Sequence, residues 1–228
     1  VQKPDSSYKK VFWTLLVSAL LFSCSAPPSN YIIFCAGDSI TESGYPPFLK
    51  TICKQEGIRA RILNHGKSGN TSGEYLNYLK NNLAEMAASR PDFICLQLGT
   101  NDVRTDHDHT SSEAFLTNMK EIIRLFRDFR TRSGKTPQIL LATIPPVPEN
   151  TPFPFAPESP ERVKREINPL IKALSAEEKL TLVDNFSLFL GSPDLLPGVH
   201  PSDAGYEALA RNWYAAMKKL GIKPSGKT

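Results

Sequence analysis

Several large functional classes require features that this chain lacks. It has no cluster of lysine and arginine interleaved with aromatics, and its net charge is only +4 over 228 residues. The electrostatic footprint of a nucleic-acid binder is therefore absent. None of its four cysteines stands at CxxC spacing, which removes the common sign of a zinc or redox site. It has no long hydrophobic run: the most apolar stretch, Val11 to Phe22, is broken by Thr14 and Ser18 and is too short to span a bilayer comfortably. No internal repeat or second domain is visible. What remains is a chain of one-domain length with 40% apolar and 22% charged residues, an ordinary globular balance that can bury a sizeable core.

The first thirty residues read as a targeting segment. Lys9 and Lys10 precede the apolar run, and Leu21-Phe22-Ser23-Cys24 follows, then the polar stretch SAPPSN. This pattern resembles a bacterial lipoprotein signal, in which the cysteine is lipidated and becomes the first residue. The expected division is a signal peptide over 1–23, a lipidated tether over 24–30, one main domain over 31–222 and a tail over 223–228. Cleavage without lipidation and an uncleaved anchor stay open as alternatives. Removal of 1–23 takes away Lys3, Lys9, Lys10 and Asp5 and leaves a net charge of +2, so electrostatic steering argues for no particular partner. The remaining cysteines, Cys35, Cys53 and Cys95, read as buried free thiols acting as small hydrophobes, with a Cys35–Cys95 disulfide open if their strands are neighbours.

Apolar runs then alternate with helical patterns. Strands are expected at Tyr31 to Ala36, Arg61 to Asn64 (a weak one), Asp92 to Leu98, Gln138 to Thr143 and Leu180 to Asp184. Helices are expected at Pro46 to Glu56, Glu74 to Ser89, Glu113 to Arg132, Pro160 to Ser175 and Ser202 to Leu220. Ser111 or Ser112 would cap the third of these, and Pro169 would kink or end the fourth. The alternation predicts an α/β fold: a parallel sheet of about five strands with helices on both faces. Ile144 to Pro160 breaks the pattern with seven prolines and reads as a semi-rigid loop beside the site. Phe153 and Phe155 on it are candidate substrate contacts, or else packed residues of a surface loop.

Four short motifs carry chemistry: GDSIT (Gly37 to Thr41), GKSGNTS (Gly66 to Ser72), GTND (Gly99 to Asp102) and GVHPSDAGY (Gly198 to Tyr206). In this order they supply a serine, a glycine amide, an asparagine amide and a histidine. A serine hydroxyl needs a base to become a nucleophile, and its attack on a carbonyl needs donors for the new oxyanion. Two motifs follow predicted strands directly, so both fall at the carboxyl edge of the sheet, where α/β folds bind ligands. Alone, each motif also fits a turn or cap. His107 and His109 sit in an acid–histidine tract that reads as a solvated substrate-side loop rather than a metal site. His65 fits a substrate contact or a structural place equally.

Together these motifs resemble those of the GDSL-type, or SGNH, hydrolases over about Tyr31 to Leu220. The resemblance implies a three-layer α/β/α, flavodoxin-like fold. It implies Ser39 as nucleophile and His200 as base. Ser39, Gly69 and Asn101 become the oxyanion-hole donors, and no metal or organic cofactor is needed. It implies hydrolysis of a small-molecule ester or acylated glycan, such as acetylated carbohydrate, a short-chain ester or a lysophospholipid. With Cys24 lipidated, the enzyme would sit in the cell envelope, on a membrane through its lipid anchor. One departure stands out: the family's Asp-x-x-His reads Pro197-Gly198-Val199-His200 here. Either Asp194 orients the histidine after a loop shift, or serine and histidine act as a dyad. A non-catalytic glycan- or lipid-binding descendant and an O-acyltransferase are the competing functions.

Overall fold

The computed structural model of the protein describes residues 31–155 and 157–224. The expected signal peptide, Cys24 and the tether lie outside the described residues. Five strands form one parallel sheet: β1 (Tyr31–Gly37), β2 (Ala60–Gly66), β3 (Phe93–Gln97), β4 (Gln138–Ala142) and β5 (Thr181–Val183), in the order β2-β1-β3-β4-β5. This is the expected α/β/α layering with flavodoxin-like strand order.

The strand period of two sorts the apolar residues into two cores. Phe34, Ala36, Ile94 and Leu96 face one layer, with Phe115, Met119 and Phe126. Ile33, Cys35, Phe93 and Cys95 face the other, with Leu49, Trp213 and Met217. The first layer contains α3 (Ser72–Asn81), α4 (Leu83–Ala88), α5 (Ser112–Arg127) and α7 (Asn168–Glu177); the second contains α2 (Pro46–Gln55) and α9 (Asp203–Lys219). β3 is buried throughout and β2, at the sheet edge, is half exposed. That contrast explains why DFICLQL is an obvious strand in the sequence and RILN a weak one. Each large side chain fully buried here contributes about 1.5–3 kcal/mol relative to exposure.

Local chemistry sets the helix ends. Ser111, not Ser112, caps α5 by accepting from Ala114 N at 3.2 Å. Thr71 and Glu74 form a reciprocal capping box at the start of α3. Three expectations are corrected. The helix over Glu74 to Ser89 is two, broken at Asn82, whose φ is −118° and whose side chain donates to Tyr78 O at 2.8 Å. The helix over Pro160 to Ser175 is α6 (Glu158–Arg162), a π-helical turn (Val163–Ile167) and then α7. Pro169 neither ends nor caps this run: it stands two residues after the π-helical turn, and the helical backbone continues through it. Two short helices were not foreseen: α1 (Ser39–Glu42), which begins at the candidate nucleophile, and α8 (Asn185–Leu190).

Cys35 and Cys95 are register partners on β1 and β3, both fully buried and both free thiols. Cys53 is also buried and free, and burial pushes its thiol up to about 11.

Candidate active site

The chain runs from β1 out to β2 and returns to β3 on the other side. The switch point of the sheet therefore lies between β1 and β3. There Gly37 pairs with Gln97, so the segments that follow, Asp38-Ser39 and Gly99 to Asp102, leave the sheet side by side. Ser39 is the first residue of α1. Asp38 caps this helix, accepting from Ile40 N at 3.0 Å. The Ser39 N–H, at the first helical position, has no acceptor within the helix and is free for an oxyanion.

The glycine-rich loop is pinned against the same helix. Lys67 N donates to Gly37 O at 2.8 Å, and Ser68 N donates to Glu42 Oε2 at 2.8 Å. The Ser68 bonds hold the Glu42 carboxyl below the usual carboxylate range, helped by Lys67. A Cβ on Gly66 would stand 2.2 Å from Glu42 N, so only glycine allows this approach. Gly69 is the third residue of the Lys67–Asn70 turn, with φ +79°. Its constraint is conformational, since a Cβ there would meet nothing within 4 Å of the protein. Asn101 Nδ2 donates to Asn70 O at 3.0 Å, which leaves its second amide hydrogen available.

Two buried carboxylates brace this cluster. Asp102 accepts from Ser72 N at 3.0 Å and from Ser72 Oγ at 2.6 Å, tying GTND to the start of α3. Burial pushes its carboxyl up while the Ser72 bonds pull it down. Asp38 is fully buried, and that burial raises its carboxyl to about 6 against the Ile40 N–H bond. Its Oδ2 has no hydrogen-bond partner among the described residues.

His200 arrives from the far end of the chain. Its Nε2 stands 2.8 Å from Ser39 Oγ. As acceptor, this nitrogen requires the ring proton on Nδ1, and Nδ1 has no partner among the described residues. Asp194 is exposed on the short turn Pro193–Leu195 and makes no hydrogen bond with His200. The turn bonds Leu195 N to Ser192 O at 3.1 Å and Leu196 N to Pro193 O at 2.9 Å. They hold Asp194 on a turn of its own, so the loop shift that would bring it to the imidazole does not occur here. Serine and histidine therefore stand as a pair.

Ser39, Gly69, Asn101 and His200 line one cleft of about 350 Å³, with Ser43, Ser68, Phe155, Val199 and Tyr206. Phe155 is thus at the site, whereas Phe153 is 75% exposed and lines a neighbouring cavity. His107 is solvent-facing beside Asp108 and lines neither cavity. His65 stacks on Phe34 with ring centroids 4.1 Å apart, a structural place; burial lowers its pKa. His109 Nδ1 meets Arg162 Nη1 at 3.1 Å. Among the described residues no group of three or more His, Cys, Asp or Glu side chains could hold a metal ion. Sequence reasoning missed Glu42 and Asp102 as braces. Ser68 and Tyr206 lay inside the quoted motifs but carried no separate signal.

A parallel α/β sheet with a serine–histidine pair and convergent amide donors at its switch point defines a class, the α/β proteins that carry a serine site at the carboxyl edge of the sheet. Within it, the chain belongs to the GDSL-like lipase/acylhydrolase family, whose model matches residues 35–208. Among curated proteins, it is 27% identical to an acetylxylan esterase of Xylanibacter ruminicola over 87% of this chain and 45% of that one. It is 30% identical to a multidomain esterase of Ruminococcus flavefaciens over 54% of this chain and 15% of that one. The chain thus spans less than half the length of either relative. The fold matches a lipase/acylhydrolase of Enterococcus faecalis with TM-score 0.71 at 22% identity, covering 86% of this chain and 100% of the other. It also matches an acetylxylan esterase of Geobacillus stearothermophilus with TM-score 0.66 at 20% identity, covering 88% and 98%.

Proposed function

We propose that this chain is a serine ester hydrolase that works through an acyl-enzyme on Ser39 and acts on small acyl esters, acetylated carbohydrate foremost. The 2.8 Å contact between His200 Nε2 and Ser39 Oγ, inside a cleft ringed by unspent amide donors, carries this reading. His200 takes the Ser39 proton as Oγ attacks the ester carbonyl. The Ser39 and Gly69 N–H groups and the Asn101 side chain receive the oxyanion. His200 then gives the proton to the leaving alcohol, and a water deprotonated by the same nitrogen releases the acid. The relatives named as acetylxylan esterases support the choice of an acetylated sugar.

The pair works without a carboxylate on Nδ1. Replacing the aspartate of a serine triad costs on the order of 10⁴-fold in turnover, so a modest kcat is expected. The deciding assay is hydrolysis of p-nitrophenyl esters, acetate through octanoate, by the domain starting after Cys24. Turnover should fall at least about 10³-fold in both Ser39→Ala and His200→Ala, and a fluorophosphonate should label Ser39. A folded protein that neither turns over nor labels would refute the reading.

An envelope location, through lipid on Cys24, is part of the proposal and rests on Lys9, Lys10 and the run ending at Cys24. Fatty-acid labelling of the expressed chain should disappear in Cys24→Ala; labelling that persists would end this part.

A further inference from the structure

A second cavity, of about 360 Å³, adjoins the catalytic cleft. The proline-rich loop forms one wall, with Asn150, Thr151, Phe153 and Phe155, and Pro197 to Val199 form the other. Phe155 and Val199 line both cavities, so the two adjoin along a shared wall. We propose that this second cavity is the leaving-group subsite of the esterase, and that it takes a neutral sugar ring from the alcohol part of the ester. The proposal rests on the esterase reading above.

The side follows from the chemistry. The nitrogen that deprotonates the serine must next protonate the leaving oxygen, so the alcohol departs past the histidine. Pro197, Gly198 and Val199 run directly into His200 and form that side. The acyl group stays by Gly69 and Asn101, in the first cleft.

The occupant follows from the lining. Apart from His200, neither cavity is lined by an ionisable acid or base other than tyrosine, which suits a neutral ligand. A pyranose has an apolar C–H face and a hydroxyl rim. The exposed Phe153 ring suits the face. The Asn150 side chain has no hydrogen bond among the described residues, and its amide offers both donors and an acceptor to the rim. Thr151 Oγ1 donates to Pro148 O at 2.6 Å, so its lone pairs stay available. An alkyl chain would use neither group. The wall is set in advance: Pro154 O accepts from Thr105 N at 2.9 Å, and Phe155 N donates to Pro152 O at 3.1 Å. A held wall spares ordering entropy on binding. Pro197, at the position of the family's third triad residue, serves here as part of this wall.

The test compares kcat/KM for an acetylated xylo-oligosaccharide with that for ethyl acetate. In Phe153→Ala the ratio should fall about tenfold, the size of one aromatic contact, and Phe153→Tyr should restore it to within about twofold. A constant ratio overturns the proposal. So does a change of acetate-over-butyrate preference at fixed alcohol, which would make the cavity an acyl pocket. A second arm needs no turnover: unacetylated xylotriose should shift resonances of Ser39→Ala, and adding Phe153→Ala should abolish the shifts. No xylotriose binding overturns the subsite. Binding lost with Phe153 in a protein that hydrolyses no ester would support a sugar site and sink the esterase reading alone.

Discussion

On the Ser39 side of the proposed catalytic pair, Ser39, the glycine-rich loop and GTND are cross-braced by Asp38, Glu42, Asp102 and Asn101, and two of these carboxylates, Asp38 and Asp102, are fully buried. On the His200 side, an exposed imidazole follows a proline-rich turn whose ties are Ser202 N and Oγ to Leu195 O, at 2.9 and 3.2 Å. The base is positioned by Pro201, by the Ser202 cap of α9 and by its own contact with Ser39. The comparison teaches that the geometry of the proposed oxyanion donors is over-determined, whereas the proposed base, His200, relies on few supports. Buried polar bonds specify geometry strongly because leaving any of them unmade is costly.

The largest expected effect tests the braced side. Asn101→Ala removes an oxyanion donor and should lower kcat about 10²–10³-fold with a small change in stability; a kcat within tenfold of wild type would show that Asn101 only ties the loop. Next, Asp102→Ala strands the Ser72 N–H and hydroxyl, and urea unfolding should show a loss of about 2–4 kcal/mol. A loss below 1 kcal/mol would mean that the brace is redundant.

Asp38 gives the third test, through pH. Its folded pKa, about 6, lies above the ordinary value of 3.8. Between those values the folded state keeps a proton that the unfolded state releases, so this group's contribution to stability declines as pH rises from about 4 to about 6. Asp38→Asn keeps an acceptor for Ile40 N–H and removes the titration. The decline between pH 4 and pH 7 should shrink by about 1–3 kcal/mol, and an unchanged decline would assign it to other groups. The smallest effect tests the sparse side. Asp194→Asn should leave kcat within about twofold, because Asp194 makes no bond to His200. A hundredfold loss would reveal a carboxylate brace in the working enzyme and break the comparison.

The sheet was legible because YIIFCA and DFICLQL are continuous apolar runs, the mark of strands covered on both faces. The cluster of Ser39, Gly69, Asn101 and His200 was legible because three of the motifs hold glycines or capping residues at strand ends, where local chemistry fixes the chain. Asp194 was not readable, because its direction depends on how the Ser192–Leu196 turn closes. The break at Asn82 was hidden by an apolar spacing that continues across it, from Leu79 to Leu83 and Met86. Glu42 looked like any surface glutamate, since its partners come from a loop more than twenty residues away. Its role is a tertiary property and leaves no local pattern.

The packing of α9 on α2 also bears on biosynthesis. Tyr45 stacks on Trp213 with ring centroids 5.8 Å apart, and Tyr214 OH donates to Glu56 at 3.2 Å. α2 is therefore covered by a helix that follows it far along the chain, and His200 stands just ahead of that covering helix. A chain truncated ahead of His200 would keep Ser39 and a bare apolar face on α2, and would lack both the histidine and the covering helix. Its exposed α2 face would invite association until α9 packs on it. Closing the core over α2 and bringing His200 to Ser39 are thus tasks of one contiguous stretch of chain.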